Sequence, residues 1–222
     1  MKTMIIADLY IKGFPSVHPG DKVAFALQVM EEYDIRDLPV TENETCIGIV
    51  SKDDLLDMDK QASIQTLRDE FRKLTISPDA HFTSALQLFH EFELSVIPVV
   101  DKNAVLLGAL KMENLLKGMY DFLGVEIPGA ILVIQIEKNQ FSLGELCRLI
   151  ETNNAFITQM NSYMDAETNR LIVTLKLNRK DISDIVATLQ RYDYNLLYYF
   201  GEERYENELK ENFDSLMTYL NI

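Results

Sequence analysis

Apolar and polar positions alternate in two different rhythms along this chain, and the change between them falls near residue 124. In the first part, Pro19-Gly20 closes a short extended piece, after which Ala24, Leu27, Met30 and Ile35 recur at helical spacing. Leu38-Pro39-Val40 then turns the chain into a strand, Asn43-Glu44 predicts a tight turn, and Cys46-Ile47-Gly48-Ile49-Val50 returns as a second strand. Ser51 ends that strand and suits the cap of a helix beginning at Lys52 or Asp53. The order is helix, hairpin, helix. It is then repeated: a helix from about Thr83 to Phe92, a strand at Ile97 to Val100, a turn at Asp101-Lys102-Asn103, a strand at Val105 to Leu110, and a helix from Met112 to about Tyr120.

The two passages match residue by residue as well as in rhythm. Val17-His18-Pro19 pairs with Ile76-Ser77-Pro78, Ala26-Leu27-Gln28 with Ala85-Leu86-Gln87, and Leu38-Pro39-Val40 with Ile97-Pro98-Val99. Gly48-Ile49-Val50-Ser51-Lys52-Asp53-Asp54 likewise pairs with Gly108-Ala109-Leu110-Lys111-Met112-Glu113-Asn114. One offset of about sixty residues serves all of them, with one extra residue between the prolines and the glycines. A two-stranded hairpin with its helices is too small to bury a core by itself, so the two units are expected to pack together. Residues 1–60 and 61–123 are therefore read as two copies of one unit.

Gly124-Val125-Glu126-Ile127-Pro128-Gly129 breaks the helical period and reads as a linker over 124–129. Beyond it, Ala130 to Ile136 is a β-prone run, and Leu143, Leu146, Leu149 and Ile150 trace a helix face. Phe156 to Met164 and Arg170 to Leu177 are extended, Ile182, Ile185, Val186 and Leu189 mark a second helix, and Tyr194 to Phe200 is a last strand. The order βαββαβ over 130–201 predicts a ferredoxin-like four-stranded antiparallel sheet with both helices on one face, giving an α+β protein overall. Leu209, Phe213, Leu216, Met217 and Leu220 then predict an amphipathic helix over 202–222.

Charge narrows the partners. The 222 residues carry a formal net charge of -14, which argues against nucleic acid and anionic membrane surfaces. The surplus is concentrated: Glu31 to Lys60 holds ten acidic and three basic residues, and Glu202 to Ile222 holds six and two. Both stretches are read as solvated helix faces. Cys46 and Cys147 lie far apart in apolar runs, which fits small core residues in a reducing compartment. Asp8 interrupts the N-terminus where a signal peptide needs an apolar core, and no run reaches membrane-spanning length, so a cytoplasmic protein is expected.

The duplicated pattern of a hydrophobic-Pro-Val strand followed by Gly-x-x-[Ser/Thr]-x-x-Asp resembles a tandem pair of CBS domains, a Bateman module, over roughly residues 1–122. The second region resembles an ACT domain through its element order, and the whole is similar to acetoin-utilisation B-type bacterial proteins. The resemblance implies a regulatory, non-catalytic module that binds an adenosine-containing ligand such as AMP, ADP, ATP or S-adenosylmethionine between the repeats. It implies Ser51 as the phosphate contact, Asp54 as the ribose contact, and Arg36, Leu38, Pro39 and Val17 beside the base. A weaker second site is implied at Lys111, Asn114, Ile97, Pro98 and Ile76, where Lys111 replaces the motif hydroxyl and Asn114 its carboxylate. No resident cofactor or metal is implied, and Mg²⁺ would enter only with a nucleotide. A homodimer and a regulated protein partner follow from the same resemblance.

The chemistry of the motif is sensible on its own terms. A carboxylate accepts from two adjacent hydroxyls at once, and a charged acceptor strengthens both bonds. Read by spacing alone, Ser51 is only a helix cap and Asp54 only an acidic first-turn residue. The acidic surroundings favour adenosine, a monophosphate or a sulfonium compound over a metal-free triphosphate. In ACT domains a small ligand, often an amino acid, sits at the turn after the first strand; here Phe141 stands where the glycine would be, which favours a dimer or partner role. His18, His81 and His90 form no ligand pattern, and no activated nucleophile or phosphate loop is visible. Tyr192, Tyr194, Tyr198, Tyr199 and Phe200 read as sheet packing or interface. The competing expectation is an assembly module with degenerate, ligand-free pockets.

Overall fold

The structure, a computed structural model, describes residues 4–201. The amphipathic helix expected over 202–222 lies outside the described residues. The chain divides into two compact units, Met1–Phe122 and Leu123–Ile222.

In the first unit each repeat contributes one hairpin with helices. The first holds α1 (Val23–Glu32), β2 (Asp37–Glu42), β3 (Thr45–Ser51) and α2 (Lys52–Leu56), preceded by a two-residue strand β1 (Ile11–Lys12). The second holds α3 (Phe82–Phe92), β4 (Val96–Val100), β5 (Leu106–Lys111) and α4 (Met112–Phe122). The Asn43-Glu44 turn forms with both residues at positive φ, 52° and 66°, the geometry that matches the twist of paired strands. The second turn differs: the Asp101 carboxylate accepts from Asn103 N at 2.8 Å and Val105 N at 2.9 Å, and this side-chain turn absorbs the extra residue. The closing helix of the first repeat has only five residues and is followed by a 3-10 segment at Ile64–Glu70, which no apolar period announced.

The repeats exchange strands. β1, which precedes the first repeat's helix, pairs with β5 of the second, Ile11 opposite Ala109 and Lys12 opposite Gly108. Arg72, which precedes the second repeat's helix, pairs with Ile49 of β3 through two backbone bonds of 2.9 and 3.0 Å. Gly48 and Gly108 stand where these visiting segments cross. A Cβ on Gly48 would sit 2.8 Å from Phe71 Cβ, and one on Gly108 would collide with the carbonyl oxygen of Ile11.

The two cores are exchanged in the same way. Val96 and Ala109 of the second repeat complete the core around Val17, Leu38, Val50 and Leu55. Ile49 of the first repeat, with Met4, Ile6 and Leu9, completes the core around Ile76, Phe89, Ile97 and Leu110. Burial of each apolar face thus requires both repeats.

The second unit runs β6 (Ile131–Ile136), α5 (Leu143–Glu151), β7 (Ile157–Met164), β8 (Leu171–Leu177), α6 (Ser183–Arg191) and β9 (Asn195–Phe200). Its sheet has the order β7-β8-β6-β9, antiparallel throughout, the ferredoxin-like arrangement. Leu146, Leu149 and Ile150 of α5 and Ile185 and Leu189 of α6 pack on Leu132, Ile134, Val173 and Leu175. The helix α5 is capped by Ser142, whose Oγ accepts from Glu145 N at 3.3 Å. On the opposite face Tyr163, Tyr198 and Phe200 are exposed.

Candidate functional site

The first repeat's motif is assembled by three neighbouring extended segments. β2 and β3 place Asp37 opposite Ser51 and Pro39 opposite Ile49. Val17 runs parallel beside them, its N–H donating to the Pro39 carbonyl at 3.0 Å while Thr41 N donates to the Val17 carbonyl at 2.8 Å. Val17 and Leu38 are wholly buried, so they form the packed wall behind the motif; Arg36 is exposed and Asp54 half-buried at its front. The Arg36 backbone is clamped, its carbonyl accepting from Lys52 N at 2.6 Å and its N–H donating to Ser95 Oγ at 2.9 Å.

Ser51 and Asp54 satisfy one another. Ser51 is buried and caps α2: its Oγ accepts from Asp54 N at 3.1 Å and donates to Asp54 Oδ2 at 2.6 Å. The hydroxyl has one proton, so an incoming anion that takes it frees the Asp54 carboxylate to accept elsewhere. A ligand carrying both a phosphate and a vicinal diol matches that exchange.

Two residues outside the expected set join the repeats beside this motif. Asp37 is buried at 3% exposure, and its Oδ2 accepts from Ser95 N at 2.6 Å and Ser95 Oγ at 2.8 Å. Ser95 Oγ in turn accepts from Asp37 N at 2.9 Å. The repeat offset that aligns Arg36 with Ser95 was the available signal; the bond itself spans 58 residues and leaves no local trace. Arg72 is a third. It forms a single antiparallel bridge opposite Ile49, hence on the face that Ile49 shares with Ser51, and Nη1 donates to the Phe92 carbonyl at 3.3 Å.

The second copy of the motif is arranged differently. Ile97 is wholly buried, Ile76 nearly so, and Ile76 N donates to the Pro98 carbonyl at 2.9 Å, repeating the wall of the first copy. Lys111, opposite Val96 as Ser51 is opposite Asp37, donates from Nζ to the Tyr33 carbonyl at 3.1 Å and lies 3.7 Å from Glu113 Oε2. Asn114 is half-buried in the first turn of α4.

The second unit has a cavity of about 440 Å³ at the end of β6, lined among others by Gln135, Glu137, Gln140, Arg170 and Tyr194. Its polar groups are mutually engaged: Arg170 Nε donates to Glu137 at 2.9 Å, and Tyr194 OH donates to Glu145 Oε2 at 3.1 Å. Burial first, and the Glu145 carboxylate second, push the Tyr194 phenol up to about 12. The Cys46 thiol is pushed up by burial, opposite to an activated nucleophile. His18 bonds the Thr41 carbonyl and His81 bonds Thr83 Oγ1. Among the described residues no three His, Cys, Asp or Glu side chains converge as metal ligands, and no helix is long and apolar enough to cross a membrane.

Comparison with known proteins gives the repeats a family. The sequence profile of the CBS domain matches residues 6–60 and 69–121. An inosine-5'-monophosphate dehydrogenase of Thermoplasma acidophilum is 25% identical over 190 residues, which cover 84% of this chain and 37% of that enzyme. The chain thus spans well under half the length of that relative. A CBS domain pair/ACT domain protein from Thermotoga maritima superposes with a TM-score of 0.49 at 27% identity, over 54% of this chain and 99% of that one. The protein CBSX2 in complex with AMP superposes with a TM-score of 0.45 at 24% identity, over 54% and 98%.

Proposed function

Because residues 6–60 and 69–121 are a tandem pair of CBS domains, we propose that the chain is a regulatory module that holds an adenosine-type ligand at the first motif and relays its presence through residues 123–222. The observation that carries the reading is the Ser51–Asp54 pair, whose hydroxyl and carboxylate are bonded to one another and divide between phosphate and ribose when a ligand takes the hydroxyl. Ser51 donates to phosphate, Asp54 accepts from the ribose hydroxyls, and the backbone at Arg36 and Pro39 meets the base. Arg36, Lys52 and Arg72 supply positive charge against Asp53, Asp54, Asp57 and Asp59. That balance suits AMP or a sulfonium-bearing adenosyl compound; a triphosphate is taken with Mg²⁺. The role is regulatory, in keeping with the tandem CBS pair and with groups whose part is to hold a ligand.

The assembly reading has one observation in its favour. Leu56 and Leu116 occupy equivalent places after the two motifs and are 59% and 66% exposed, while their neighbours Leu55 and Leu115 are fully buried. Such paired apolar positions suit a homodimer formed through α2 and α4. Calorimetry on the whole chain separates the two readings. AMP should bind, and Asp54→Ala should weaken it by about tenfold or more, the worth of a charge-assisted bond to a diol. Equal heats in wild type and Asp54→Ala would move the site away from this motif; no heat with AMP, ADP, ATP or S-adenosylmethionine would leave assembly as the function.

A further inference from the structure

Lys111 stands at the end of β5 where Ser51 stands at the end of β3, yet its side chain is spent differently. Its side chain keeps only 16% exposure, and Nζ donates to the Tyr33 carbonyl, 78 residues away in the other repeat. Tyr33 follows the last turn of α1, where unsatisfied carbonyls and the helix dipole favour a cation. Tyr33 corresponds to Phe92 in the other repeat, the last residue of α3, and the Phe92 carbonyl is also met by a cation. There the donor is Arg72, which comes from the segment bridged to β3 and leaves the motif position to Ser51. In the second copy the motif position itself supplies the cation, and the carboxylate beside it is replaced by the neutral Asn114.

We infer that Lys111 is a resident occupant of the second cleft: it closes that cleft to ligand and straps the second repeat to the end of α1, so each chain takes a single adenosine-type ligand. A phosphate entering there finds no hydroxyl at the motif position, and the half-buried Lys111 side chain fills that place with Nζ held at the Tyr33 carbonyl. The ligand class rests on the reading of the first cleft given above; the strap does not.

The test restores the first copy's residues in the second. Isothermal titration of AMP into the full chain should give one equivalent for wild type and two for the variant Lys111→Ser with Asn114→Asp. One equivalent in both overturns the inference and leaves the first-cleft reading intact. No binding by wild type with one equivalent for the variant upholds the strap and removes the first-cleft reading. Two equivalents in wild type overturn the inference outright. A second measurement needs neither nucleotide nor variant: amine acylation followed by mass spectrometry should modify Lys111 about tenfold more slowly than Lys117, which is exposed on α4. Equal rates mean the strap does not hold in solution and overturn the inference.

Discussion

At the scale of single residues, the bond between Asp37 and Ser95 is where the repeats are held together beside the first motif. A carboxylate at 3% exposure is tolerable only while its acceptors are engaged, and Ser95 supplies both an N–H and a hydroxyl to the same oxygen. Removing the two partners separately has unequal effects. Ser95→Ala leaves the backbone N–H in place but removes the carboxylate's hydroxyl donor and the acceptor of the Arg36 and Asp37 amides, at about 1–3 kcal/mol. Asp37→Ala also leaves a pocket where the carboxylate was and orphans the Ser95 N–H and hydroxyl, at about 2–4 kcal/mol. The double variant should cost less than the sum, because the groups lose one another only once. Urea unfolding of the four proteins measures the coupling, and strict additivity would show that the bond does not contribute. Nothing near either residue in sequence announces this pair, since its partners are brought together by packing of the whole duplicated unit.

At the scale of elements, the exchanged strands explain the two motif glycines better than turn chemistry does. Gly108 lies opposite Lys12 and against the Ile11 carbonyl, and a methyl group there strikes that backbone oxygen, which moves only if β1 lifts away. Gly48 meets Phe71 Cβ and the Arg72 carbonyl, which are equally part of a visiting segment. Gly108→Ala should therefore destabilise the first unit by about 2–4 kcal/mol and expose the β1 amides to hydrogen exchange, while Gly20→Ala, where a Cβ meets open space, should cost far less. Comparable losses at the two positions would refute the crossing as the cause. The hairpins themselves were legible, because Leu38-Pro39-Val40 and Ile97-Pro98-Val99 carry strand patterns in register over both copies. So was the βαββαβ order, whose helices keep an unbroken apolar face. The exchange was not legible, because Ile11–Lys12 and the single Arg72 are too short to show a period of two. The same limit hid Arg72 as a cation near the motif: in sequence it lies 21 places after Ser51, but its bridge to Ile49 brings it beside β3.

At the scale of the whole molecule, the proposed relay has a thermodynamic consequence that does not depend on how the units are placed. Every residue assigned to the first cleft lies within Met1–Phe122, and both cores of that unit are built from its own residues. A chain ending at Phe122 should therefore fold and bind AMP by itself. If ligand at the first cleft alters residues 123–222, linkage requires that residues 123–222 alter the affinity for ligand by the same factor. Couplings of this kind are worth about 1–3 kcal/mol, so the short chain and the full chain should differ in AMP affinity by about fivefold or more. Loss of all binding in the short chain would place part of the site outside the repeats. Equal affinity would leave the ligand site standing and remove the relay, making the second unit an appendage whose exposed Tyr163, Tyr198 and Phe200 serve assembly alone.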